Sequence, residues 1–334
     1  MKFVRTTAIN KILALTKRKK IIQGGTSAGK TFGIIPILID IAIKVPDKEI
    51  SIVSESFPHL RRGAIKDFKK IMRVTGRWSD KCWHSSNFTY TFPNGSFIEF
   101  FSADNESKLR GARRNILYIN EANNILFSSY YQMAIRTNED IYIDFNPSME
   151  FWAHTEVEVG KDAELIILTY KVNEALDATV VEDIESAREK GKTSEYWKNW
   201  WNVYGLGKIG SLTGAIFTNW KPIDSIPEEA RLLGYGLDFG SIAEIFSYGL
   251  DIYPAKKGSD SVLFSIKLLQ QQELLITKSS LFLIKELRGY LWATDKSGNQ
   301  TGKPLAHVPD HLLDSLRYIA MEKLGRKEDS YSIH

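Results

Sequence analysis

Lys20-Ile21-Ile22-Gln23-Gly24-Gly25-Thr26-Ser27-Ala28-Gly29-Lys30-Thr31 is the stretch on which the fold turns. An apolar run enters a glycine-rich turn, and a helical pattern follows from Phe32 to Ile43. Residues Gly24 to Thr31 fit the pattern G-x-x-x-x-G-K-[ST]. Its glycines let the backbone curl until several N–H groups point inward at phosphate oxygens. The helix behind the turn adds its positive N-terminal end. In this pattern Gly24, Gly25, Thr26, Ser27, Ala28 and Gly29 cradle phosphates, and Lys30 reaches the β- and γ-phosphates. The Thr31 hydroxyl is a Mg²⁺ ligand, so the ligands to expect are ATP and Mg²⁺.

Around this loop, strands alternate with helices. Glu49 to Ser54, Asn115 to Asn120, Ile141 to Phe145 and Glu164 to Thr169 read as further strands. Leu60, Ala64, Ile65, Phe68, Ile71 and Met72 recur at helical spacing, with Arg62, Lys66, Lys69 and Arg73 on the other face. Pro36 lies early in the first helix, where a missing N–H is tolerated. Phe88 to Phe92 and Phe97 to Phe101 flank Asn94-Gly95 as a hairpin. The alternation predicts an α/β fold, a P-loop NTPase with a mainly parallel, doubly wound sheet.

The second half of such a site is an apolar strand ending in acids. Ile116 to Ile119 followed by Asn120-Glu121 fits, with Asn120 where an Asp is usual. The amide oxygen of Asn120 can accept a bond from a Mg²⁺-bound water but brings no charge. Glu121 is the candidate to orient and deprotonate the attacking water. Asn146, at the end of the strand Ile141 to Phe145, is a candidate γ-phosphate sensor; a plain Asn-Pro turn is the alternative. Phosphoryl transfer also calls for an arginine. Arg110, Arg113 and Arg114 are candidates, Arg110 first, acting in their own site or a neighbouring subunit's; surface or phosphate-backbone contacts explain them equally well.

These motifs, in this order, resemble the large terminase subunits of tailed phages. The resemblance rests on Gly24 to Thr31, Lys108 to Gly111 leading into Ile116 to Asn123, Asp144 to Pro147, and Trp201 to Gly207. It implies a DNA-packaging ATPase over residues 1–207 and a metal-dependent, ribonuclease-H-like nuclease over 231–334, with 208–230 as linker. The nuclease carried over by resemblance has Asp238 as a first metal ligand and Asp310, His311 and Asp314 as its last, holding Mg²⁺ or Mn²⁺. Asp238 and Asp314 are its catalytic acids. Asp310 and Asp314, four apart, share one helix face. Gly240 runs straight into Ser241, where the family continues with further strands and a central acid. The resemblance therefore implies that a segment of about 60 residues is missing there and that the nuclease is impaired. It also implies double-stranded DNA, a portal protein and a small terminase subunit as partners, and a homo-oligomeric ring on the procapsid.

Bulk composition narrows the classes. The chain has 334 residues and one cysteine, Cys82, which rules out an internal disulfide. The formal charge of +4 permits nucleic-acid binding without arguing for it. No stretch reads as a secretion signal or a membrane span, so the expected location is the cytoplasm, which the resemblance implies is that of a bacterial host. A helicase-like, DNA-stimulated ATPase and a non-catalytic nucleotide- or DNA-binding remnant are the other readings open at this stage.

Overall fold

The computed structural model describes residues 4–104, 109, 111, 113–210, 214–236, 261–294, 300–305 and 310–325. Two compact units divide the chain, Met1–Ser211 and Leu212–His334.

The first unit is built on one eight-stranded sheet. Its strands are β1 (Lys19–Gly24), β2 (Glu49–Ser54), β3 (Trp83–His84), β4 (Thr89–Thr91), β5 (Phe97–Ser102), β6 (Ile116–Ile119), β7 (Ile141–Phe145) and β8 (Ala163–Leu168). They lie in the order β3-β4-β5-β2-β6-β7-β1-β8. From β5 to β8 every pairing is parallel. The hairpin read around Asn94-Gly95 supplies the antiparallel edge, with Thr91 opposite Phe97. The parallel, doubly wound reading therefore holds for this unit.

Consecutive strand residues are apolar because both faces of the sheet are covered. Ile22, Ile52 and Tyr118 pack on one face with α1 (Thr7–Leu13), α2 (Lys30–Lys44), α3 (Phe57–Arg62) and α4 (Ala64–Val74). Their neighbours Ile21, Val53 and Leu117 pack on the other, against α5 (Phe127–Ala134) and the Trp152 to Val157 segment.

Two local readings are corrected. The helix through Leu60 and Met72 is two helices, broken at Gly63, whose φ of −102° and ψ of −104° lie outside the helical range. Helix α2 begins at Lys30, so Pro36 lies in its interior and the Phe32 carbonyl loses its usual helical donor. Beyond β8 come α6 (Ala178–Lys190), α7 (Glu195–Trp200) and a wider π-type turn over Trp201–Gly205.

The second unit is a smaller α/β body. It contains β9 (Trp220–Ile223), α8 (Ser261–Gln270), β10 (Leu274–Thr277), α9 (Leu281–Gly289), β11 (Trp292–Thr294), β12 (Gln300–Pro304) and α10 (His311–Leu324). β9 and β10 pair parallel, and β11 and β12 antiparallel. Phe217 stacks on Tyr290 with centroids 6.1 Å apart. The stretch 208–230, read as a linker, thus carries a paired strand. No strand forms over 232–236, and 237–239 lie outside the described residues. So does the Gly240–Ser241 junction. Among the described residues, no helix is long and apolar enough to cross a membrane.

Candidate nucleotide-binding site

Parallel strands end on a common edge, so the segments that leave β1, β6 and β7 meet there. Leaving β1, the loop turns through Ser27 at φ 56° and Gly29 at φ 77° before α2 starts. Gly25 donates its N–H to the Leu168 carbonyl at 3.1 Å, and Thr26 to the Tyr204 carbonyl at 2.8 Å. A Cβ on Gly25 would lie 2.1 Å from the Tyr204 oxygen, so only glycine fits. Asn173 Nδ2 holds the Ser27 carbonyl at 2.8 Å. Gln23 ties the strand end to the same support, donating to the Gly207 carbonyl at 2.7 Å and meeting His154 Nε2 at 2.9 Å.

Lys30 Nζ donates to the carbonyls of Gly24 and Gly25 at 3.0 and 2.8 Å and to Asn146 Oδ1 at 2.6 Å. Burial pushes its ammonium down to about 8, against the opposing charges of Asp144 and Glu121. β7 lies between β1 and β6, which is why Asn146, just past its end, reaches Lys30.

Asn120 departs from its expected use. Its Oδ1 accepts from Ser54 Oγ at 2.9 Å. Its Nδ2 donates to Asp144 Oδ1 at 3.0 Å, the Tyr118 hydroxyl at 3.2 Å and Thr31 Oγ1 at 3.3 Å. A carboxylate needs a donor, which fixes the amide this way round. The amide oxygen read as a water acceptor is therefore turned to Ser54.

Asp144 is buried and also accepts from the Tyr118 hydroxyl at 2.9 Å and the Glu121 N–H at 3.2 Å. Burial pushes its carboxyl up, and the Lys30 charge, then its hydrogen bonds, oppose that shift. Glu121 sits at φ 56° and ψ 52°, a left-handed conformation rare for a side-chain-bearing residue. Its carboxylate is half exposed and lies 3.5 Å from His59 Nδ1. A hydroxyl at the helix start, a lysine and a buried carboxylate form a donor set that fits a nucleotide with Mg²⁺.

The edge thus gathers Lys30, Thr31, Asn120, Glu121 and Asn146. Arg114 lies elsewhere: it precedes β6 at the end opposite Glu121, roughly 20 Å along the strand direction. It is buried, with its guanidinium over the Phe101 ring at 5.5 Å. That distance excludes it as a finger in its own site. Arg110 lies outside the described residues, as does Asp238. Sequence reading missed Asp144 and His59. Asp144 had a visible signal, an acid in the strand next to the loop, but strand order is needed to use it.

The basic helix face also has defined geometry. Lys66, Lys69 and Arg73 of α4 join Arg61, Trp83 and Phe88 around a groove of about 390 Å³. Lys69 Nζ lies 4.2 Å from the Trp83 ring centroid. Arg61, rather than Arg62, is the α3 residue that lines it.

In the second unit, Asp310 stands at the start of α10 and its carbonyl accepts the Asp314 N–H at 2.7 Å. Asp314 Oδ1 pairs with the buried Arg317, and Oδ2 accepts from the Tyr318 hydroxyl at 2.9 Å. His311 is the first residue of that helix. Among the described residues, no group of three or more His, Cys, Asp or Glu side chains is placed to hold a metal ion.

Fold and edge geometry define a P-loop NTPase unit followed by a smaller α/β unit. By sequence the chain matches no protein-family model and no curated protein. Its fold is similar to that of the large terminase of a thermophilic bacteriophage, at 16% identity and a TM-score of 0.56 over 96% of this chain and 100% of that one. The same terminase solved with ADP matches at 16% identity and 0.54, with the same coverage. Solved with ATP-gamma-S it matches at 15% identity and 0.53, over 95% of this chain and 98% of that one. The chain has the large-terminase fold.

Proposed function

We propose that this chain is a phage large terminase, an ATP-driven motor for double-stranded DNA joined to a nuclease unit. The observation that carries the reading is the meeting of Lys30, Thr31, Asn120, Glu121 and Asp144 on one edge of a sheet whose fold is that of the large terminases. The thermophilic phage's terminase, bound to ADP and to ATP-gamma-S, supports ATP as the ligand.

Glu121 takes a proton from the water that attacks the γ-phosphorus, and the bond to the ADP oxygen breaks. Lys30 and the loop N–H groups balance the charge that gathers on the phosphate oxygens. Mg²⁺, when bound with the nucleotide, neutralises phosphate charge, and the Thr31 hydroxyl is the residue that would hold it. Asn146 registers the γ-phosphate in this reading, which its hydrogen bond to Lys30 supports. The Arg61, Lys66, Lys69 and Arg73 groove fits a phosphate backbone, a contact that is sequence-independent and salt-sensitive.

Partners in this reading are duplex DNA, a portal protein, a small terminase subunit and further copies in a ring on the procapsid. Arg110 is then the finger. The second unit carries a metal-dependent nuclease in which Asp238, Asp310, His311 and Asp314 bind Mg²⁺ or Mn²⁺. We read it as impaired, and the capture of Asp314 by Arg317 and Tyr318 supports that.

The test is ATP turnover with and without duplex DNA. Turnover is expected to rise with DNA and to fall at least about a hundredfold in Lys30→Ala. Undiminished turnover in that variant sinks the reading.

A further inference from the structure

Strand β6 ends in an amide where this class of site uses an acid, and a buried acid stands one strand away. The β6–β7 register pairs Ile119 with Ile143, so Asn120 and Asp144 follow at one level. On the other side of β7, Asp144 faces Ile22 of β1, two residues before Gly24. Tyr118, Asn120 and the Glu121 N–H all donate to Asp144 Oδ1. Among the described residues, Oδ2 carries no hydrogen bond.

We propose that Asp144 is the acid of the metal half of this site, displaced by one strand. Through Asn120 it turns the amide toward the Thr31 hydroxyl and supplies the negative charge that the amide lacks. Through the Glu121 N–H it holds that residue in its left-handed conformation, with the carboxylate presented to the site. Asp144 is thus a positioning residue, and the inference rests on the ATPase reading above.

A charge moved by one strand can be moved back, and that gives the test. The full chain is titrated with a fluorescent ADP analogue at increasing Mg²⁺, and again in EDTA. In Asp144→Asn, the Mg²⁺ needed for half-maximal tightening is expected to rise about tenfold or more, and the EDTA titration separates this from any loss of affinity that comes through Lys30. The exchange Asn120→Asp with Asp144→Asn is expected to restore the original Mg²⁺ dependence. An unchanged Mg²⁺ dependence in folded Asp144→Asn overturns the proposal, as does an exchange that restores nothing. If Asp144→Asn fails to fold, the exchange alone decides, because it keeps both groups and the bond between them; failure of the exchange to fold also counts against the proposal. A wild-type chain that binds no nucleotide in either titration overturns the ATPase reading instead, which is a different result.

Discussion

The acids on the loop edge of the first unit and those at the head of α10 both lie in short motifs, and they behave differently. Asp144 and Glu121 sit where segments from separate strands converge, next to the Lys30 ammonium. Asp314 has its partners within its own helix, Arg317 and Tyr318. Strand ends that converge bring side chains together from distant parts of the chain. Spacing along one helix guarantees only a shared face, and that face satisfies itself with its neighbours.

The largest effect expected on this contrast is at Glu121. Glu121→Gln should lower ATP turnover about a hundred- to ten-thousandfold while nucleotide affinity stays near wild type. Steady-state turnover and equilibrium binding measured together check both halves. A variant that turns over normally would reduce the loop-edge acid to the status of Asp314.

Asp314→Ala strands the buried Arg317 and should destabilise the second unit by about 3 kcal/mol, with ATP turnover retained. Denaturant unfolding followed by tryptophan fluorescence reads this. A loss of Mn²⁺-dependent cleavage with no loss of stability would instead mark Asp314 as an active nuclease ligand, and the contrast would break.

Nucleotide affinity should depend on pH through Lys30. Burial brings its ammonium to about 8 in the folded chain, and phosphate binding requires the charged form. Affinity is then level below pH 8 and falls by up to about tenfold per unit above it. The folded value lies below the ordinary 10.5, so the same burial costs stability at neutral pH. That cost fades as the pH rises from about 8 towards 10.5. Binding titrations at stepped pH, with Lys30→Arg as the reference that stays charged, check the assignment.

The smallest expected change is at Ser54. Ser54→Ala removes the donor to Asn120 Oδ1 and should cost about 1 kcal/mol. It should also loosen the amide orientation enough to weaken Mg²⁺-dependent binding severalfold. Thermal melts and Mg²⁺ titrations measure the two together.

The loop from Gly24 to Thr31, the strands β2 and β7, and the Asn94-Gly95 hairpin were legible because each is written in local chemistry: a glycine-rich turn running into Lys-Thr, apolar runs, an Asn-Gly pair between two aromatic-rich stretches. The role of Asp144 was not, because it depends on β7 lying between β1 and β6, an order that no local pattern encodes. The break at Gly63 was hidden by apolar spacing that continues through it, since α3 and α4 pack on the same face of the sheet. Strand β9 was overlooked in a stretch of glycines and prolines that looked like linker.

The support under the phosphate loop has a practical consequence for anyone dividing this chain. The carbonyls of Tyr204 and Gly207 hold Thr26 and Gln23, so residues far downstream are struts for the first functional loop. A fragment cut at the end of α7 would keep every nucleotide motif and lose the scaffolding that shapes them. An isolated first-unit fragment should therefore run past Gly210, whose N–H is itself anchored on the Pro147 carbonyl at 2.9 Å.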